Sequence, residues 1–139
     1  MGIISEMYAA HPNKGGQELK NLQECMKLCF QCSDVCTICA DACLEEENVK
    51  ELRSCIRLNQ QCSIVCEAAG EILLGGHFTD ENLLRKQLEL CEETCKLCGE
   101  ECSMHASMHE HCKICARACQ ECADSCRRLI NEMAGAIAL

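Results

Sequence analysis

The sequence predicts an all-α fold, an antiparallel up-down-up-down four-helix bundle with a Cys-lined core, and three observations carry that prediction. Cys recurs at alternating spacings of three and four residues, which keeps a single stripe of a helix facing one way. Almost all the strong helix breakers, Pro12 and the pairs Gly15-Gly16 and Gly75-Gly76, fall outside the Cys-rich runs. The connections left between the runs are short, and short connections make neighbouring helices antiparallel.

The chain of 139 residues suits one compact domain. Residues 1–14 read as an N-terminal arm with a short helix of its own, and residues 15–139 as the Cys-rich bundle. The first bundle helix carries Leu22 and then Cys25, Cys29, Cys32, Cys36, Cys39 and Cys43 on one face. The second carries Leu52, Cys55, Asn59, Cys62, Cys66, Ala69 and Leu73, and stops at Gly75-Gly76, where glycine suits a helix C-terminus. Thr79 or Asp80 can cap the third, with Phe78 as a hydrophobic staple, and its seam reads Leu84, Leu88, Cys91, Cys95, Cys98, Cys102, His105.

No Gly or Pro separates the third run from the fourth. Ser107-Met108-His109-Glu110 has the form of a capping box, so the turn is expected near Ser103 to Ser107. The fourth seam then runs Met108, Cys112, Cys115, Cys119, Cys122, Cys126, Leu129, Met133. Helices of about 24 to 29 residues would be roughly 36 to 44 Å long.

Ordinary core-filling residues are scarce, and the aromatics are only Tyr8, Phe30 and Phe78. A bundle reaches native packing density with Leu- and Ile-sized side chains, so long seams of Cys leave space that something should fill. Net charge of -9 argues against nucleic acid, which needs clustered Lys and Arg. Residues 1–24 show no basic start followed by an apolar run, being interrupted by Glu6, His11, Asn13 and Lys14, and no later stretch reaches membrane-spanning length. The expectation is therefore a cytoplasmic protein without a membrane partner. Cytosolic thiols stay reduced, which favours metal binding over disulfides for the 18 Cys. Intrahelical bridges are also poorly placed, because Cβ atoms three or four residues apart lie about 5 to 6 Å from each other and a relaxed disulfide needs about 3.8 Å.

Three metal chemistries compete. Iron–sulfur ligation, and with it electron transfer, is suggested by recurrent Cys-x-x-Cys pairs such as Cys29/Cys32 and Cys95/Cys98, yet the ferredoxin run ending in Cys-Pro is absent. Zinc sequestration would use four thiolates per ion, and each such unit is a dianion with no Lys or Arg on the seams to offset it. One Cu(I) per thiolate is neutral, and soft thiolates select Cu(I). That ratio sets an expected capacity of about 18 ions, one for each thiolate.

These seams resemble those of the bacterial copper storage proteins over about residues 17–134. The resemblance implies a cytosolic four-helix bundle that holds multiple Cu(I) ions on core thiolates, assembled as a homo-oligomer, usually a tetramer, and exchanging ions with a copper chaperone. One departure is the second helix, which offers only Cys55, Cys62 and Cys66.

Other polar residues lie beside the thiolates. Asn59 on the second seam is either a hydrogen-bonding group that fixes helix register or a weak ligand through its carbonyl. His105, His109 and His111 cluster with Met104 and Met108 at the last turn, either as a solvated turn or as exchangeable copper ligands at a channel mouth. The opposite end gathers Leu22, Leu73, Leu84, Leu88, Leu129 and Met133 as an apolar plug, so copper is expected to enter beside the histidines. His11 and His77 are assigned no site, and Glu45, Glu46 and Glu47 read as a solvated turn. No triad, catalytic carboxylate pair or phosphate loop stands apart from the seams, so catalysis is not expected.

Overall fold

The computed structural model describes residues 2–13 and 19–138, with side chains described up to residue 135. Gly15-Gly16 therefore lie outside the described residues. A short helix, α1 (Gly2–Ala10), precedes four long ones: α2 (Leu22–Leu44), α3 (Arg53–Gly75), α4 (Glu81–Met104) and α5 (Glu110–Ala138). A 3-10 turn, Val49–Leu52, leads into α3. Each long helix packs on two neighbours, α2 on α3 and α5, α4 on α3 and α5, which closes an up-down-up-down bundle. No described helix is long and apolar enough to cross a membrane.

Local chemistry sets most of the helix ends. Asp80 starts α4 by accepting from the backbone N–H groups of Asn82 (2.8 Å) and Leu83 (3.2 Å). Gly76, at φ 74°, closes α3 in the left-handed conformation that glycine adopts without cost, its N–H bonding to the Leu73 carbonyl. Where α2 starts, Glu132 of α5 reaches across: its carboxylate accepts from Asn21 N–H at 2.8 Å and from the Asn21 side-chain amide at 3.1 Å. The expected capping box does not form. Helix α5 begins at Glu110, three residues past Ser107, so Ser107 lies in the turn and not at the cap.

The core is one stripe from each long helix. Leu52 at the end of the 3-10 turn and Cys55, Asn59, Cys62, Cys66, Ala69 and Leu73 of α3 are all buried, as are the Cys of the other seams. Leu22, Leu73, Leu84, Leu88, Leu129 and Met133 meet at one end, with Phe78 and Leu19 packed against them. The Tyr8 hydroxyl donates to the Leu74 carbonyl at 2.8 Å and ties α1 to that same end.

One buried charge flanks the seams. Glu92, 6% exposed, accepts from Arg127 Nε at 3.1 Å across the α4–α5 contact and pairs with Lys96 at 3.2 Å. Hydrogen bonding from Arg127 holds its carboxyl below the usual carboxylate range despite burial. A depressed folded pKa stabilises the fold above the unfolded value, so this contribution is complete above about pH 4.3 and fades as pH falls further. Because Arg127 is half exposed, solvent screens the pair. Glu92→Gln is expected to lower stability by about 1 kcal/mol at neutral pH and by less at pH 3, as read by thermal melts of the metal-free chain. An equal loss at both pH values would sink the ion-pair account.

Candidate metal centre

All 18 Cys are buried and none is in a disulfide. Successive turns of one helix bring sulfurs together: Cys25 and Cys29 are 4.0 Å apart at Sγ, Cys32 and Cys36 3.9 Å, Cys62 and Cys66 3.7 Å. Facing helices supply the rest. Cys66–Cys95 are 3.4 Å apart, Cys55–Cys102 3.5 Å, Cys36–Cys115 3.7 Å, Cys32–Cys119 3.8 Å and Cys25–Cys126 3.9 Å. A metal–sulfur bond of about 2.3 Å separates sulfurs by about 3.8 Å around a tetrahedral ion and about 4.0 Å around a trigonal one. The thiols therefore already stand at ligand spacing.

The four-sulfur groups are not separate. Cys29, Cys91, Cys122 and Cys126 form one, and Cys122 also belongs to the next, with Cys32, Cys66 and Cys95. Cys32 continues into a third with Cys36, Cys62 and Cys119, and Cys36 and Cys119 into a fourth with Cys98 and Cys115. Cys39, Cys43 and Cys112 join His111 at the far end. Shared sulfurs make a ladder along the bundle axis, in which one thiolate can bridge two ions.

Asn59 sits inside this ladder with no exposure. Its Oδ1 accepts from Cys98 Sγ at 3.1 Å, Cys115 at 3.2 Å and Cys102 at 3.6 Å, while its Nδ2 donates to Cys55 Sγ at 3.7 Å. The amide is fully satisfied and points its oxygen into a cup of three thiols. Both sequence readings of Asn59, as a register-fixing partner and as an oxygen donor, are compatible with that geometry.

Neighbouring thiols shift one another's proton affinity in both directions through their S–H···S contacts. Hydrogen bonding with Cys126 lowers Cys25 to about 4, and hydrogen bonding with Cys102 lowers Cys39 to about 6, whereas burial pushes Cys43 up to about 11. No Lys or Arg is among the buried described residues to offset anionic charge in the core.

The histidine end differs from the expectation in detail. Met108 is not on the α5 seam: it lies in the turn and is 66% exposed, as Met104 is at 69%. The three-four alternation runs through the turn by coincidence of spacing, and the backbone leaves the helix there. His105 Nε2 is 3.0 Å from Glu101 Oε2 and stands outside the thiol groups. His111 alone among the three reaches them, its Nδ1 3.4 Å from Cys39 Sγ and 3.6 Å from Cys112 Sγ. Burial lowers the His111 pKa, but hydrogen bonds to Cys39 and Glu46 outweigh it and raise the net value.

Glu46, read as part of a solvated turn, is instead a partner of two imidazoles. Its Oε2 is 3.1 Å from His109 Nδ1 and 2.8 Å from His111 Nε2, and Asn48 Oδ1 is 3.1 Å from His109 Nε2. The antiparallel order of α2 to α5 places the α2–α3 connection beside the α4–α5 turn, the end at which the sequence also gathers Glu45 to Glu47 with the His/Met cluster. His11 and His77 stack with ring centroids 4.7 Å apart at the apolar end, away from the thiols.

Comparisons agree on one family. A profile described as copper storage protein matches residues 18–131. The solved copper storage protein Ccsp of Streptomyces lividans, loaded with 10 copper equivalents, is 38% identical with a TM-score of 0.85, over 93% of this chain and 98% of that one. A second Streptomyces lividans structure, of a cytosolic copper storage protein with five coppers, is 42% identical with a TM-score of 0.79, over 84% of this chain and 98% of that one. A curated relative, the uncharacterised cysteine-rich protein YhjQ of Bacillus subtilis, is 41% identical over 51 residues, 37% of this chain and 45% of that protein. The match thus spans less than half of that relative's length.

Proposed function

The chain belongs to the copper storage protein family, and from that premise we propose that it stores Cu(I) in the cytosol on its core thiolates, many ions per chain. The ladder of shared four-sulfur groups carries this reading, because bridging thiolates suit a monovalent soft ion that gains neutrality one sulfur at a time. Separate four-thiolate zinc units would each leave a buried dianion, and no buried described Lys or Arg offsets it. The eighteen metal-binding positions are Cys25, Cys29, Cys32, Cys36, Cys39, Cys43, Cys55, Cys62, Cys66, Cys91, Cys95, Cys98, Cys102, Cys112, Cys115, Cys119, Cys122 and Cys126, with Asn59 as an oxygen donor among them.

Copper enters and leaves at the histidine end. His111 bridges solvent and the thiols, His109 and His105 stand beside it, and the exposed thioethers of Met104 and Met108 give an arriving ion its first soft contact. A copper chaperone is the fitting exchange partner at such a mouth. Exposed Ile38, Leu44 and Ile64 on the outer α2–α3 face support assembly into a homo-oligomer, a tetramer by family resemblance. The protein acts by binding, without catalysis.

Replacing Cys32, Cys36 and Cys39 together by Ser tests the role of the thiols. Copper per chain, measured by metal analysis after anaerobic loading, is expected to fall roughly in step with the thiols removed, while far-UV circular dichroism shows a folded bundle. Unchanged capacity would mean the ions lie elsewhere, and collapse of helicity would make these thiols structural.

A further inference from the structure

The mouth of the ladder carries two donor sets that share one imidazole. On the outside, Glu46 Oε2 lies 3.1 Å from His109 Nδ1 and 2.8 Å from His111 Nε2. Two ligands bonded at about 2.05 Å and at right angles around one ion are about 2.9 Å apart, so the carboxylate oxygen stands at ligand spacing from each of the two nitrogens. The two rings are nearly parallel, 17° apart with centroids at 5.4 Å. All three side chains keep some exposure, 10% for His109, 24% for His111 and 31% for Glu46. This outer set is nitrogen and oxygen without sulfur, a chemistry that suits Cu(II) and not Cu(I). On the inside, the other nitrogen of His111 faces Cys39 Sγ at 3.4 Å and Cys112 Sγ at 3.6 Å, and these two sulfurs lie within 4.8 Å of each other.

We propose that this mouth also takes up Cu(II) and that Cys39 and Cys112 reduce it to Cu(I) as it passes inward, an extension that rests on the storage reading above. Two cupric ions each gain one electron. The two sulfurs each lose one and form a single Cys39–Cys112 disulfide, any thiol protons leaving to water. The cuprous ions then exchange the nitrogen and oxygen donors for the thiolates of the ladder. Each event removes two thiols, which a small-molecule thiol of the cytosol restores by disulfide exchange. Uptake with reduction is thus stoichiometric in thiol.

The test uses the full-length reduced chain, desalted free of small thiols and mixed anaerobically with two equivalents of copper(II) sulfate. Electron paramagnetic resonance should show a nitrogen-ligated Cu(II) signal that decays while Cu(I)–thiolate absorption in the ultraviolet rises. One thiol should disappear per cupric ion, and peptide mapping should find the Cys39–Cys112 bridge. Glu46→Gln, and separately His109→Ala, should slow the decay by about tenfold or more, as loss of a metal ligand or its partner commonly does. Decay in both variants as fast as in the wild type, or a disulfide between other Cys, would overturn the assignment. So would a Cu(II) signal that persists in the wild type. Titration of the same wild-type batch with Cu(I) separates the two ideas: uptake of Cu(I) beside unreduced Cu(II) refutes reduction alone, and no uptake of Cu(I) refutes storage too.

Discussion

Anaerobic titration of the reduced chain with Cu(I) is expected to saturate at about 18 ions, one for each thiolate, because a dry core tolerates little net charge. All 18 thiols face the bundle interior, at most 1% exposed, and no buried Lys or Arg could balance an excess of thiolates. Adding one monovalent cation per sulfur as its proton leaves keeps the interior neutral at every stage of filling. Proton release therefore tracks loading at about one per ion. Metal analysis and a pH-stat measure the two ratios independently. Saturation at four or five ions would indicate discrete four-sulfur sites and remove the argument from neutrality.

Loading is also expected to raise the thermal midpoint by at least about 20 °C. The empty bundle lacks large side chains through its middle, where Cys replaces the Leu of an ordinary seam, so it begins as a modestly packed fold. Each site holding copper at about a thousand times its dissociation constant adds about 4 kcal/mol if the unfolded chain does not bind. Unfolded thiols do bind Cu(I), which cuts the gain, but they lose the four-sulfur groups that only the packed helices assemble. Five sites at half that value still contribute about 10 kcal/mol, and a domain of this size shifts by about 2 to 4 °C for each. Far-UV circular dichroism melts of empty and loaded chains give the number. A shift below about 5 °C would place the copper on the surface and not between the helices.

The seams were legible because Cys is both the functional group and the core-facing residue. Periodicity alone therefore located the buried thiols together with the stripe they occupy. Leu84 and Leu88 before Cys91, or Leu129 and Met133 after Cys126, also showed which end would be apolar. The turn between α4 and α5 was read less well. Met108 lies four residues before Cys112, the same step that separates true neighbours on a seam, and nothing in that spacing distinguishes a helix from a turn that happens to keep count. Loops carry no period at all. Glu46 meets His111 across 65 residues and Glu92 meets Arg127 across 35, so both pairs are products of packing. The Asp80 cap and the Gly76 terminus were readable for the opposite reason, since each is a local hydrogen-bonding arrangement within a few residues.

The Leu22, Leu73, Leu84, Leu88, Leu129 and Met133 plug gives the bundle a blind end. A vessel with one opening and a row of shared berths behind it keeps its contents in order of arrival. If copper enters beside His111, as proposed, ions reaching Cys25 and Cys126 would be the oldest and would leave after those nearer His111, so turnover would be last in, first out. A cell drawing on such a reserve would then spend recent copper first and carry the earliest deposit longest, across many cycles of partial filling.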